Sequence, residues 1–392
     1  MREVVGRWVV DHVPQPWRDA ADRGRGAIRA VRTRQAYEDW YPVFAASGLV
    51  VPTWPVAYGG LGLRPAQARV AEGVLAPFNL GRLNPLGLNN AAAPLFAHGT
   101  EEQRLRYLPP IVANTERWCQ LFSEPGAGSD LASLATRAER DGDEWMLTGQ
   151  KVWTTWAHES EFGVCLARTD PRAPKRQGIT FFIVDMRSPG IDIRPLVQAT
   201  GLSHFNEVFL EEVRIPAANV VGEVHGGWAV ARTTLASEAG MIGGAGLTSS
   251  YQAVLELARQ FGRTDDPLVR QRLADVYTRE RILKFLGMRM QTAIMHKRGT
   301  PPDPSVLKNF FTQSLSRRVE LAVELEGAAG LLADTDAPQD GFWQKQVLAQ
   351  YASRIGGGTN EVHRNMIGER ALGLPPEPRL DKDTPWRDIP KG

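Results

Sequence analysis

The side chains best suited to chemistry lie between Trp118 and Trp156, in WCQLFSEPGAGSDLASLATRAERDGDEWMLTGQKVWTTW. An apolar segment turns sharply at Glu124-Pro125-Gly126-Ala127-Gly128 and continues through Ser129-Asp130. A strand-like piece from Glu144 to Thr148 then leads into Lys151-Val152-Trp153-Thr154-Thr155. Glycine in such a loop lets bare backbone N–H groups approach a ligand, because no side chain stands in the way. The hydroxyls of Ser123, Ser129, Thr154 and Thr155 add donors and acceptors, and Trp153 adds a flat apolar face. A planar heteroaromatic cofactor edged with carbonyls and ring nitrogens asks for this combination. The same residues also fit a plain turn, which Ser, Gly and Pro commonly mark, and a strand tryptophan belongs as readily to a core. Gly126 and Gly128 lack the third glycine of G-x-G-x-x-G and open no βαβ unit, which counts against a dinucleotide loop.

A second candidate lies further on. Trp228, Ala231, Leu235, Glu238 and Ile242 recur at helical spacing on one face. A carboxylate on an apolar stripe is either a base whose pKa desolvation has raised, or a glutamate paired with an arginine at a subunit contact. The stretch after it, Ala239-Gly240-Met241-Ile242-Gly243-Gly244-Ala245-Gly246, is unusually slim. Glycine inside a helix costs about 0.5–1 kcal/mol relative to alanine. Close helix packing would explain the slimness, and so would room for a broad, branched or polycyclic substrate. Gly356-Gly357-Gly358 permits close backbone approach to a ligand, or is a simple flexible loop.

Bulk properties narrow the classes. A chain of 392 residues is long enough for two or three cores, and 43% apolar with 23% charged residues is the composition of a soluble globular protein. The net charge of +2, with no long block of one sign, gives nucleic acid no footprint, and basic clusters such as Arg23 to Arg34 read as solvated helix faces. Cys119 and Cys165 lie far apart in the sequence, without a C-x-x-C or disulfide pattern, which fits a reducing cytoplasm. The seven histidines show no metal-ligand spacing. The N-terminus carries charges within its apolar stretch and no cleavage pattern, and no apolar run reaches the roughly 18 residues that span a bilayer. The expectation is a cytoplasmic protein with no metal, nucleic acid or membrane.

The elements that must position these residues follow from periodicity. Residues 1–115 read as a helical domain, with helices at Arg34 to Ser47, Pro65 to Leu75 and Thr100 to Leu108. Thr100 and Gln103 form a capping-box start. Residues 116–225 change to short strands at 144–148, 162–168, 179–185, 191–196 and 207–213, bounded by turn residues, as in an antiparallel β sandwich or barrel. Residues 226–375 return to helices at 228–239, 249–262, 266–298, 304–333 and 339–354, as in a four-helix bundle. Residues 376–392, rich in Pro, Asp and Lys, read as an extended or disordered tail. The fold class expected is α+β: helices, a β domain, then a helix bundle.

The run Phe122-Ser123-Glu124-Pro125-Gly126-Ala127-Gly128-Ser129-Asp130, followed by Gly149-Gln150-Lys151-Val152-Trp153-Thr154-Thr155, resembles the flavin-binding segment of the acyl-CoA dehydrogenase family. Other stretches are similar in the family's order: Tyr58-Gly59-Gly60-Leu61-Gly62, His98-Gly99-Thr100-Glu101-Glu102-Gln103 with Leu108-Pro109-Pro110, Phe205-Asn206-Glu207-Val208-Phe209, and Gly358-Thr359-Asn360-Glu361-Val362-His363-Arg364. The likeness covers nearly the whole chain. It implies FAD-dependent α,β-dehydrogenation of an acyl-CoA thioester, with a carboxylate taking the proton and flavin N5 the hydride. It also implies an electron-transfer flavoprotein as the next carrier, and a tetramer of like chains or of two chain types.

Carried over by motif, Phe122, Ser123, Gly128, Ser129, Trp153, Thr154 and Thr155 belong beside the flavin ring, with Thr155 near N5. Gly358, Thr359 and Glu361 would meet the ADP half of a neighbouring subunit's FAD. The family carries its base in one of two places. One falls on Gly357, which has no side chain to offer, and the other falls on Glu238. Two departures stand out. The arginine that usually follows the base is Ala239, and the arginine of Arg-x-x-Phe-Gly, which contacts the pyrophosphate, falls on Ala258. Arg259 sits one position late, so a shifted helix, Arg263 or another chain would have to serve. Rival readings on the same resemblance are a non-catalytic partner subunit of a mixed tetramer and a flavin monooxygenase.

Overall fold

The period changes from helix to strand and back to helix, as expected. The computed structural model describes residues 1–244, 250–296, 303–378 and 381–390. Seven helices come first: α1 Arg2–His12, α2 Gln15–Ala21, α3 Arg25–Val31, α4 Arg34–Ala46, α5 Pro65–Leu75, α6 Ala92–His98 and α7 Glu101–Ala113. Thr33 caps α4 by accepting from Ala36 N–H. The capping box of α7 is complete, Thr100 Oγ1 accepting from Gln103 N–H at 3.2 Å and Gln103 Oε1 from Thr100 N–H at 3.1 Å. This helix does not stop at Leu108. It runs through Pro109 and Pro110 to Ala113, because Leu108, Ile111 and Val112 are all buried and hold the final turn against the core. Just before α6 the chain makes a π turn, Gly87–Ala91.

Seven strands form one curled sheet: β1 Trp118–Leu121, β2 Arg137–Asp141, β3 Glu144–Thr155, β4 Phe162–Arg168, β5 Ile179–Asp185, β6 Ile191–Leu196 and β7 Phe205–Pro216. Pairing is mostly antiparallel, but β1 and β2 each run parallel to β4. That departs from a purely antiparallel arrangement. β4 and β5 are buried on both faces. Val164, Leu166, Phe181 and Ile183 join the core shared with the N-terminal helices, while Cys165, Ala167, Phe182 and Val184 join a core on the other face. Cys119 and Cys165 come to lie on neighbouring strands as free, buried thiols, and desolvation pushes them up to about 12 and about 11.

The remaining helices are α8 Gly227–Gly244, α9 Tyr251–Gln260, α10 Pro267–Met295, α11 Asp303–Glu326, α12 Phe342–Ile355 and α13 Asn360–Arg370. The segment read as one helix over 304–333 splits at Glu326, with a 3-10 turn over Gly327–Leu331. α8 begins so close to the sheet that a Cβ on Gly227 would stand 2.6 Å from the Phe181 backbone nitrogen. From there it crosses α6 and the π turn and reaches α11, so it touches all three layers. α11 is the axis of the bundle, packed by α9, α10 and α12 around a third core and by α13 beside it.

Over 381–390 the tail is not extended: it turns, with a 3-10 turn at Trp386–Asp388, and docks on the β domain. Trp386 Nε1–H donates to Ser133 O at 3.2 Å, its ring lies over Arg168, and Lys175 bridges Asp381 and Asp130. Among the described residues no helix is long and apolar enough to cross a membrane.

Candidate active site

Two parts of the chain build the site. In the first, β1 delivers Phe122 and Ser123 into a tight turn closed by Glu124 N–H to Ala127 O at 3.2 Å and Ala127 N–H to Glu124 O at 3.0 Å. β3 runs alongside, Val152 N–H donating to Ser123 O at 2.9 Å. β3 is longer than the sequence suggested, and two register shifts against β7 hide its period. The second shift, between Lys151 and Thr154, puts Trp153 at φ 62° and turns its indole outward, 62% exposed. Thr154 is buried beside it with a hydroxyl oxygen that has no partner, while its carbonyl accepts from Asn206 Nδ2 at 2.9 Å. Space is open above Gly126 and Gly128, where a Cβ would meet nothing. Phe122 is buried, Ser123 and Thr155 are half-buried, and Ser129 is exposed. The Val152–Ser123 bond thus sets Phe122 and Ser123 beside the Trp153–Thr155 segment on one edge of the β domain, with Gly128 and Ser129 in the loop that follows.

Beneath this edge lies an ion pair. Lys151, fully buried, donates to Glu124 Oε1 at 2.8 Å and to the carbonyls of Phe122 and Leu166. Glu124 also accepts from the backbone N–H groups of Ala135 and Thr136. Burial alone would raise the Glu124 pKa, but Lys151 and these donors outweigh it and hold the carboxyl below its usual range.

The second part centres on Glu238. Ala231 and Thr234 on the same α8 face are fully buried, and Trp228 and Leu235 pack against the core. Side chains from Ala239 to Gly244 and all of residues 245–249 lie outside the described residues, so Ile242 and the slim stretch do too. Among the described residues of this chain, the hydrogen-bond partner of the Glu238 side chain is a glutamine. Gln120 Nε2–H donates to its Oε2 at 3.3 Å, and Gln120 Oε1 accepts from Asn90 Nδ2–H at 2.6 Å. Burial pushes the Glu238 pKa above the usual carboxylate value, and the Gln120 hydrogen bond, the charge of Lys308 and the Gly357 N–H draw it partly back. The Gly357 backbone therefore lies close enough to act on Glu238, so the two positions at which the resemblance looks for a base come near each other, one with a carboxylate and the other with no side chain.

That backbone is tightly held. Gly357 and Gly358 have φ values of 67° and 91°, a region that favours glycine. Lys308, fully buried on α11, donates to the carbonyls of Gly356 and Gly358, and His363 on α13 pairs with Gly357 O at 3.0 Å. A Cβ on Gly358 would stand 3.0 Å from the His363 ring. Thr359 caps α13 by accepting from Val362 N–H, and Glu361 pairs with Arg364 at 3.2 Å. These residues line an open cleft of about 300 Å³ with Arg354, Gln313 and Tyr351. Arg259 is elsewhere. It stands on the outer face of α9, paired with Glu256 at 2.6 Å, while Ala258 is buried in the bundle core and Arg263 pairs with Asp266.

Sequence reasoning missed Asn90, Gln120, Lys308 and His363. The signal available was a polar residue where an apolar one is expected: two amides in GLNNA, a glutamine within a buried strand, and a lysine between Leu307 and Phe310.

Comparison with known proteins adds family and relatives. Residues 1–115, 119–213 and 225–372 match the N-terminal, middle and C-terminal domain models of acyl-CoA dehydrogenase. The acyl-CoA dehydrogenase IpdE1 of Mycobacterium tuberculosis is 38% identical over 386 residues, covering 96% of this chain and 97% of that protein. Among solved structures, the Tcur3481–Tcur3483 steroid ACAD has a TM-score of 0.75 at 29% identity, over 96% of this chain and 97% of its own. The ChsE4–ChsE5 complex of M. tuberculosis has a TM-score of 0.74 at 29% identity, over 95% and 96%.

Proposed function

The chain belongs to the acyl-CoA dehydrogenase family of oxidoreductases, and from that membership we propose that it removes hydrogen from the α and β carbons of an acyl-CoA thioester with Glu238 as base and FAD as acceptor. The observation that carries the assignment is the setting of Glu238: a carboxylate raised by burial, joined through Gln120 to the strand that feeds the Phe122–Thr155 edge. A base must be unprotonated near neutral pH yet strong enough to take a proton from a carbon beside a carbonyl, and partial desolvation tempered by hydrogen bonds meets both needs. The residues at the edge fit an isoalloxazine. Trp153 offers an uncovered apolar face, the buried Thr154 hydroxyl lacks a partner, and the loop at Gly126 and Gly128 has room for a close approach.

FAD, when bound, supplies the acceptor for the hydride that leaves the β carbon. Phe122, Ser123, Gly128, Ser129, Trp153, Thr154 and Thr155 would hold its ring, and Gly358, Thr359 and Glu361 the ADP half of a neighbouring subunit's cofactor. Glu238 takes the α proton as negative charge develops on the thioester carbonyl oxygen. Electrons would leave to an electron-transfer flavoprotein.

A second reading concerns assembly. Ala258 leaves the usual pyrophosphate arginine absent, and Arg259 faces outward. This favours a tetramer of two chain types in which another chain completes the FAD site, and both solved relatives named above are two-chain complexes.

The test is anaerobic bleaching of the flavin in the purified protein by isovaleryl-CoA, cyclohexane-1-carbonyl-CoA and a steroid-side-chain CoA thioester, beside Glu238→Gln. We expect bleaching by a subset and its loss by at least about a thousandfold in the variant, with flavin still bound. Equal bleaching by the variant would remove Glu238 from the mechanism. A colourless protein would favour the partner role, and bound flavin that resists every thioester but reacts fast with oxygen once reduced would favour a monooxygenase.

A further inference from the structure

The amide pair behind the base has no counterpart in the motifs that define the site. Gln120 lies on β1 between the buried Cys119 and Leu121, in a position where an apolar side chain would complete the core. Its Nε2–H reaches Glu238 Oε2 at 3.3 Å and its Oε1 accepts from Asn90 Nδ2–H at 2.6 Å. Asn90 is 2% exposed, and its own Oδ1 is buried without a partner. A buried acceptor left unmade is costly, so its retention calls for a reason.

The backbone around Asn90 supplies the setting. Asn90 belongs to the π turn Gly87–Ala91, an element that recurs at functional sites. This turn is tied to α8 both one helical turn before the base and at the residue just before it. Thr234 Oγ1–H donates to Asn90 O at 3.2 Å, and Ser237 Oγ–H donates to Asn89 O at 3.0 Å.

An amide can present either its carbonyl or its NH₂ to a neighbour. Toward an ionised carboxylate only the NH₂ is favourable, and the Asn90 donor on Gln120 Oε1 selects that orientation. We propose that Gln120, its amide fixed by Asn90, is a positioning residue for proton abstraction, holding the Glu238 carboxylate ionised and in one orientation. This rests on the assignment of Glu238 as base. The other groups that act on Glu238 are Lys308 of α11, by its charge, and the Gly357 N–H before α13; His363 of α13 feels Lys308 and bonds the Gly357 carbonyl.

The experiment is the rate of anaerobic flavin bleaching in the FAD-loaded protein from about pH 5 to 9, using the fastest of the three thioesters above. A donor to the ionised carboxylate lowers its pKa, so removing the donor moves the rising limb of the profile to higher pH. For Gln120→Met we expect a shift of roughly half to one unit, seen as a three- to tenfold slower rate at the acid end and a preserved plateau. Asn90→Leu shifts the limb the same way by less. The double variant shifts it no further than Gln120→Met alone, because the two act through one hydrogen bond.

An unmoved limb in Gln120→Met, or additive shifts in the double variant, overturns the proposal. Should Gln120→Met fail to bind flavin, Gln120→Asn keeps an amide but withdraws it by one methylene, and it must show the same upward shift. Glu238→Gln separates the two levels. If it bleaches as the native protein does, or if no thioester bleaches the native protein, the base assignment falls and this proposal with it. If it is inactive while the limb stays put in the amide variants, the base stands and only the positioning role falls.

Discussion

Two lysines with no solvent exposure pin the two halves of the site, and they are paired differently. Lys151 lies beneath the Phe122–Thr155 edge and meets a carboxylate, Glu124, at 2.8 Å. Lys308 lies beneath the Gly356–Gly358 turn and donates to two carbonyls, with Glu238 as the charge that acts on it. The first is an internal balance: charge, counter-charge and backbone donors close on one another, so the edge is held whatever binds above it. The second is left open toward the base. Burial lowers the Lys308 pKa, with only the Glu238 charge opposing it. One half is closed on itself, and in the other a buried lysine charge acts on the carboxylate proposed as base.

The sharpest way to break this comparison is Lys151→Met. Removing one member of a buried pair strands the other, typically at a cost of about 3–5 kcal/mol. Glu124 would keep the Ala135 and Thr136 donors but lose the charge that offsets its burial, so its pKa would rise. We expect the largest fall in Tm of any single change considered, with loss of bound flavin. Acid should act in the same direction on the native protein. The Glu124 pKa is depressed in the fold, so its contribution is present above the unfolded carboxylate value of about 4.3 and is lost as pH falls through its lower folded value. Thermal melts across that range check both statements.

Lys308→Met should cost less stability and more function. Two carbonyls lose a charged donor, worth about 1–3 kcal/mol together after the relief of desolvation. The sign of that relief follows from linkage. A lysine whose pKa is lowered by folding weakens the fold at neutral pH, and stability returns as pH rises toward its unfolded value of about 10.4. The functional effect is on Glu238. Without a nearby positive charge desolvation is less opposed, the carboxyl pKa rises, and the rising limb of bleaching against pH moves upward. If the limb stayed put while Tm fell, Lys308 would be structural like Lys151 and the contrast between them would be gone.

How much of this was legible in the sequence depended on whether a feature is local. Strands 162–168, 179–185 and 191–196 show in the chain because each is short and bounded by turn residues. β3 did not, since two bulges break its alternation and one of them creates the Trp153 face. α7 outruns its prolines because tertiary burial outweighs a missing N–H. The tail docks through Trp386, whose bond to Ser133 spans 253 residues. The helical stripe drew attention to Glu238 but left it open between a base and a paired glutamate. The glycines and hydroxyls of the Trp118–Trp156 stretch fitted a plain turn as well as a cofactor loop, so only the resemblance chose between these readings. Gln120 was not legible, because its meaning lies in a bond to a residue 118 positions away, and Lys308 in one 48 positions away.

The smallest effect should come from Arg259→Ala, and its smallness is what makes it useful. Arg259 is one position from where the family places an arginine on the pyrophosphate, yet Ala258 is the residue packed inward and Arg259 pairs with Glu256 three residues before it. Both side chains are more than half exposed, and exposed pairs of this kind are worth at most about 0.5 kcal/mol. Within one chain, its removal should leave Tm and flavin retention nearly unchanged. Across chains the outcome can differ, because an outward arginine on α9 could meet a cofactor held by a neighbour. Flavin retention measured at several protein concentrations separates the cases. Equal retention in the variant at every concentration means that the displaced arginine has no cofactor role and that the pyrophosphate is held by other groups. Retention that falls only as the assembly forms would place Arg259 on a neighbour's FAD, and the bundle half of the site would then be completed by contact between chains while the Lys151 half stands alone.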